Sequence, residues 1–196
     1  MATTRENKSI SDFKSALIGG GARPNLFEVE LTTLPGGIAW DADNFRYMCK
    51  AASLPASTIA NIDVPFRGRI FKVAGDRTID VWSVTVINDE DFKLRNAFED
   101  WMNLIAKLEN NLGATQPEAY MTNAKVYQLG RGSTKSSTSN TGEANTVLKE
   151  YEMIDIFPTS VSAIDLSYDT GDTIEEFTVE FQVQSFNLVG AGSPNG

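Results

Sequence analysis

Histidine is missing from the 196 residues altogether, and cysteine occurs once, at Cys49. The first absence removes Ser-His-Asp and Cys-His nucleophilic machinery together with the commonest metal ligand. The second excludes an internal disulfide and any zinc site built on cysteine and histidine, and it suits a reducing cytoplasm. No apolar run approaches the length that spans a bilayer, and no charged start leads into an apolar h-region. The expectation is a soluble cytosolic product with no membrane partner. Carboxylate pairs remain, but no spacing singles one out as an acid–base couple. No catalytic, cofactor-binding or metal-binding residue is therefore assigned, and the chain is read as a non-enzyme.

Basic residues also run out. Lys149 is the last of them, and the stretch beyond it carries nine acids: Glu150, Glu152, Asp155, Asp165, Asp169, Asp172, Glu175, Glu176 and Glu180. The whole net charge of −9 belongs to that C-terminal quarter, since the first 149 residues balance. A domain so charged repels nucleic acid rather than holding it.

What is present is enough apolar material, 41% of residues, to form one core without staples. Phe27, Val29 and Leu31 alternate with Glu28 and Glu30, the mark of a half-buried strand. Phe45 to Cys49 reads as the returning strand after a Leu34-Pro35-Gly36-Gly37 turn, and Ala51 to Pro55 as a loop. Residues 62 to 77 form a basic arm with Arg67, Arg69, Lys72 and Arg77, in which Pro65 points to an edge or a protruding hairpin. A Gly75-Asp76 turn signal precedes a β-rich run from Thr78 to Ile87. Asn88-Asp89 is read as the cap of a helix from Asp91 to about Asn110, with Phe92, Leu94, Phe98, Trp101, Ile105 and Leu108 as its apolar stripe. Ala124 to Leu129, Val147 to Phe157 (stopped by Pro158), Ala163 to Tyr168 and Glu176 to Phe186 read as further strands. In the last, Phe177, Val179, Phe181 and Val183 face inward. Short strands, one convincing helix and no βαβ unit make the expected class mainly β (α+β), an antiparallel sandwich or barrel flanked by one helix. Three segments are expected: residues 1–21 as a mobile arm with a candidate short helix at 11–18, residues 22–188 as the single domain with a long loop at 130–146, and residues 189–196 as a flexible tail.

Ala22-Arg23-Pro24-Asn25-Leu26-Phe27-Glu28-Val29-Glu30, Cys49-Lys50-Ala51-Ala52-Ser53-Leu54-Pro55, Val73-Ala74-Gly75-Asp76-Arg77-Thr78, Trp82-Ser83-Val84-Thr85-Val86 and Phe157-Pro158-Thr159 follow one another in order. Together they resemble the tail tube proteins of contractile-tailed, T-even-like bacteriophages. The resemblance runs from about residue 12 to 187; the Ser/Thr-rich stretch after residue 130 and the Gly-rich tail depart from it. It implies a β-barrel-like sandwich whose copies form hexameric rings, stacked into a hollow virion tube inside a contractile sheath. Its implied partners are further copies of itself, the sheath, baseplate and tail-terminator proteins, and double-stranded DNA in transit without specific binding. Assembly would take place in the host cytoplasm, and no cofactor is implied.

Within that frame, Arg67, Arg69, Phe71, Lys72, Asp76 and Arg77 are candidates for an inter-ring arm, meeting acids of the C-terminal quarter on the next ring. Glu28, Glu30, Glu176, Glu180, Gln182 and Gln184 are candidates for a lumen lining free of lysine and arginine, along which DNA slides without adhering. Lys93, Arg95, Glu99, Asp100 and Lys107 form the candidate sheath-facing side of the helix. Two alternatives stand beside this reading: the tube of a phage-like contractile injection or type VI secretion device, and a monomeric β-barrel that binds a small ligand.

Overall fold

A computed structural model describes residues 9–17, 20–131, 147–169 and 171–189. The expected loop falls almost entirely outside them, as do the tail beyond Val189 and the first eight residues. The described chain runs α1 (Ile10–Ala16), β1 (Phe27–Glu30), α2 (Ala42–Met48), β2 (Cys49–Ala52), β3 (Ser57–Phe66), β4 (Arg69–Ile79), β5 (Trp82–Ile87), α3 (Lys93–Ile105), β6 (Thr122–Leu129), β7 (Val147–Val161), β8 (Glu176–Gln182) and β9 (Ser185–Val189). All pairings are antiparallel, in the order β1-β6-β7-β8-β5-β2 with β9 also on β7, while β3 and β4 form a sheet of their own.

The 15-residue β7 joins the two halves of the fold. Its first part pairs with β6 and β9, and its last part, from Phe157, pairs with β8. The change of partners coincides with an irregularity at Asp155, which sits in the left-handed region at φ 55° and donates its N–H to Asn123 Oδ1 at 3.1 Å. Pro158 does not stop the strand as the sequence suggests. It lies beside a register shift, where its missing N–H removes no regular ladder bond.

Period-2 alternation places Val29, Val84, Val86, Val126, Phe177, Val179 and Phe181 in the core, each 2% exposed or less. The predicted strands at β1 and β6 form close to where they are read, and β8 forms over the first part of Glu176–Phe186, with Val183 buried and Phe177, Val179 and Phe181 facing inward. Helix α3 lays Leu94, Ala97, Phe98 and Trp101 over this sheet. Phe98 lies at the centre of an aromatic cluster, 5.4 to 6.2 Å from Trp40, Phe45, Phe177 and Phe181. Each tryptophan N–H reaches a backbone carbonyl: Trp40 to Leu31, Trp82 to Ser53 and Trp101 to Tyr120. Burial of these rings therefore leaves no donor unpaired.

Several local readings need correction. Phe45–Met48 is helical, because the Asp41 carboxylate caps Asn44 N–H at 3.0 Å, and Phe45 and Met48, three residues apart, share the side packed on the core. Cys49 instead begins β2, whose strand takes in Ala51 and Ala52. The principal helix is shorter than expected. Phe92 precedes it in the left-handed region, Asn88 is drawn away to Glu175 (Nδ2 to Oε2, 3.0 Å), and Leu108 lies beyond its end, 92% exposed. Ala163–Tyr168 joins no ladder. The expected last strand is two, because the chain turns at Val183–Gln184 from one half of β7 to the other. Gly75-Asp76 makes no turn: both lie in β4, where a Cβ on Gly75 would meet the Ala60 carbonyl at 3.0 Å across a bulge. The turn is Arg67-Gly68, with φ 47° and 82°, the positive pair that a two-residue hairpin requires.

Candidate assembly surfaces

Three surfaces carry the residues singled out in the sequence. The first is the β3–β4 hairpin, in which every residue of β3 is exposed and β4 is exposed except at Gly75 and Ile79. Its register pairs Ile62 with Val73, Val64 with Phe71 and Phe66 with Arg69. Directly opposed residues share a face. One face is therefore apolar, with Arg69 at its outer end, and the other pairs Asp63 with Lys72 and Pro65 with Ile70. Arg67 in the turn stacks over the Phe66 ring at 5.4 Å. The structure thus gathers Arg67, Arg69 and Phe71, sets Lys72 on the reverse face, and leaves Asp76 and Arg77 past the bulge toward the base. Sequence reading recognised the charges and missed the apolar face. Its signal was present as the alternation Ile62, Val64, Phe66, obscured by the intervening Pro65.

The second surface is the side of the large sheet that faces away from the core. Glu28 and Glu30 on β1 are in register with Tyr127 and Lys125 on β6, which oppose Glu150 and Glu152 on β7. The Tyr127 hydroxyl donates to Glu30 Oε2 at 2.8 Å, and Lys125 Nζ donates to Glu150 Oε1 at 3.0 Å. Arg46, from α2, reaches Glu28 at 2.9 Å and Glu30 at 3.7 Å, and Lys50 pairs with Glu176. Burial, then the Glu30 hydrogen bond and the surrounding acids, push the Tyr127 phenol above its ordinary range. The Glu150 hydrogen bond leads the causes that raise Lys125, holding it charged. Glu180 and Gln184 are exposed and Gln182 is half-buried. This face is acid-rich, yet it is not free of cations: Arg46, Lys50 and Lys125 are each set against a carboxylate. The sequence could not show this, because the partners of Arg46 and Lys50 lie far along the chain.

The third surface is the outer side of α3. Lys93 pairs with Asp91 at 2.5 Å, and Asp100 lines a groove with Trp40 and Asp41. Arg95 is only 19% exposed. It holds Glu99 at 2.8 Å, donates to the Ser162 carbonyl at 3.1 Å and lies over the Phe177 ring, so it fastens α3 to the sheet. Lys107 lies past the helix end and is exposed. Met102, Ile105, Phe157 and Val161 line an apolar groove of about 470 Å³ beside this helix.

Among the described residues, no group of three or more acids or cysteines is disposed to hold a metal ion, and no helix is long and apolar enough to cross a membrane. Burial pushes the Cys49 thiol up to about 12, which makes it a poor nucleophile.

Known proteins agree with this architecture. The phage tail tube protein family matches residues 22–189. The chain is 38% identical over 161 residues to tail tube protein gp19 of Enterobacteria phage T4, an alignment covering 82% of this chain and 88% of that one. Its fold is similar to a chain in the six-fold symmetrised baseplate of the anti-feeding prophage (TM-score 0.61, 12% identity, 88% of this chain and 97% of that one). It is also similar to a chain in the sheath-tube complex of an extracellular contractile injection system, PVC, in the extended state (TM-score 0.54, 13% identity, 94% and 100% covered). A family match over residues 22–189, together with a relative 38% identical over 82% of the chain, shows that the chain belongs to the phage tail tube protein family.

Proposed function

We propose that copies of this chain close into hexameric rings, that the rings stack into the inner tube of a contractile virion tail, and that the genome passes through its bore. The role is structural and involves no reaction. The observation that carries this reading is the hairpin: two strands of 10 and 11 residues with an apolar, basic-tipped face that the other described residues of its chain leave exposed. A ladder exposed on both faces is a liability for a monomer and a natural contact for another copy. Ring contacts are heterologous and close, whereas contacts between rings are heterologous and do not, so a filament grows. The six-fold symmetrised assembly that contains a chain of the same fold supports the ring number.

In this arrangement the hairpin, with Arg67, Arg69, Phe71, Lys72, Asp76 and Arg77, reaches the adjacent ring. Glu28, Glu30, Glu176, Glu180, Gln182 and Gln184 face the bore, where acids outnumbering their paired cations keep DNA from adhering. Lys93, Glu99, Asp100 and Lys107 face the sheath, and the ends of the tube meet baseplate and terminator proteins. Assembly takes place in the host cytoplasm. A phage-like injection tube has the same brick and differs in its cargo. A monomeric ligand-binding barrel instead predicts a single species of 21.4 kDa.

Negative-stain electron microscopy, with the initiating baseplate supplied, tests the proposal. Hollow rods with hexameric end views are expected, and R67E/R69E is expected to shorten or abolish them. A 21.4 kDa particle that never polymerises would overturn it.

A further inference from the structure

We infer that the hairpin of one copy docks on the loop between β7 and β8 of another, through residues 163–169 and 171–175. This rests on the assembly reading above and names the receiving surface. The hairpin offers Ile62, Val64, Phe66, Phe71 and Val73 on one face, with Arg67 and Arg69 at its tip. Its counterpart must therefore combine exposed apolar side chains with unpaired acids.

The loop does so. Leu166, Tyr168 and Ile174 are 80%, 109% and 70% exposed, and they flank a concavity of about 560 Å³. Asp165, Asp169 and Asp172 stand among them, and none is in an ion pair among the described residues. The segment contains no lysine or arginine. The principal rival is the sheet face, and it fits less well. Glu28, Glu30, Glu150 and Glu176 already have cationic or phenolic partners. Polar residues also dominate there, and Leu148 and Val189, the exposed apolar side chains beside Glu150, are only 46% and 39% exposed.

The loop's anchoring suits a receiving role. Glu175 accepts from Asn88 through both its backbone carbonyl (2.8 Å) and its carboxylate (3.0 Å), fixing the C-terminal end of the loop to the end of β5. No hydrogen bond or ion pair joins hairpin and loop within one chain among the described residues. The two surfaces are different parts of the molecule, so their pairing is heterologous, the kind of contact that leaves a free hairpin and a free loop for further copies. Opposite charge at the contact would fix its polarity and register.

Charge exchange tests the inference in tubes grown under conditions in which the unsubstituted chain polymerises. R67E/R69E and D165K/D169K/D172K are each expected to lower the sedimentable fraction at least tenfold. The five substitutions together are expected to restore it, because every contact again joins opposite signs. In a second arm, F66C/L166C tubes under mild oxidation are expected to give a ladder of cross-linked multimers on a non-reducing gel. The half-buried Cys49 is a poor competitor for this chemistry. If the hairpin variant fails while the loop variant polymerises normally and no ladder forms, the loop is not the receiving surface, although the hairpin remains an assembly arm. If neither charge variant affects tube formation, the assembly role of the hairpin fails as well.

Discussion

The sandwich and the hairpin are both β-structure with dense apolar alternation, yet they differ in what covers them. Strands β5 and β8 bury Trp82, Val84, Val86, Phe177, Val179 and Phe181 beneath α3. Strands β3 and β4 leave Phe66, Ile70 and Phe71 each more than 60% exposed. The same side-chain chemistry is buried within the single chain in one place and left in water in the other. Apolar area removed from water contributes about 25 cal/mol per Å² wherever it is buried, so under the proposed assembly the hairpin's share is realised only when another copy covers it. A substitution should accordingly affect folding or polymerisation, depending on which of the two regions it strikes.

Phe181→Ala makes the largest test. Phe181 is fully buried against Trp82, Phe98 and Trp101. Truncation there should cost about 3–5 kcal/mol by denaturant unfolding of the isolated chain. A loss below about 1 kcal/mol would mean that the aromatic cluster is not the core of the fold. In the hairpin, F66S/F71S should leave the unfolding midpoint of the isolated chain nearly unchanged, since surface changes usually stay within about 0.5 kcal/mol. The same variant should lose at least tenfold in polymer yield by sedimentation. Equal effects on both readouts would erase the distinction between the two regions.

The smallest expected effect concerns Cys49. Its thiol is pushed from 9.0 up to about 12 by burial, so the folded chain keeps its proton where the unfolded chain has lost it. Stability is unaffected below pH 9 and declines as pH rises toward 12, by at most about 1.4 kcal/mol per pH unit from this group. The difference in stability between the parent and Cys49→Ala should therefore shrink as pH rises above 9. A difference independent of pH would show that the thiol is solvated.

Strands with strict alternation were legible because a period of two needs no knowledge of partners: Phe27–Glu30, Thr122–Leu129 and Glu176–Gln182 all sit where that pattern puts them. The α3 stripe was legible for the same reason at a period of 3.6, through Leu94, Phe98 and Trp101. Phe45–Met48 misled because one fully buried side chain in seven residues fits either period, and the Asp41 cap settled the matter. Ala163–Tyr168 misled in the opposite direction: Ile164 packs against the core, but Leu166 and Tyr168 stay exposed and the segment joins no ladder among the described residues. Of the candidate surfaces, the basic arm was legible as charge, while its apolar face depended on a register that places Phe66 opposite Arg69.

The sequence alone determined the class of fold, the inward faces of its strands, the absence of histidine chemistry and the concentration of acid beyond Lys149. Those properties are carried by nearest neighbours and by composition. Tertiary structure decided that β7 serves both halves of the sheet, that Arg46 meets Glu28 and Glu30, and that the basic arm stands clear of the core. Each of these joins residues distant along the chain, and such meetings are fixed by packing and register rather than by any local preference.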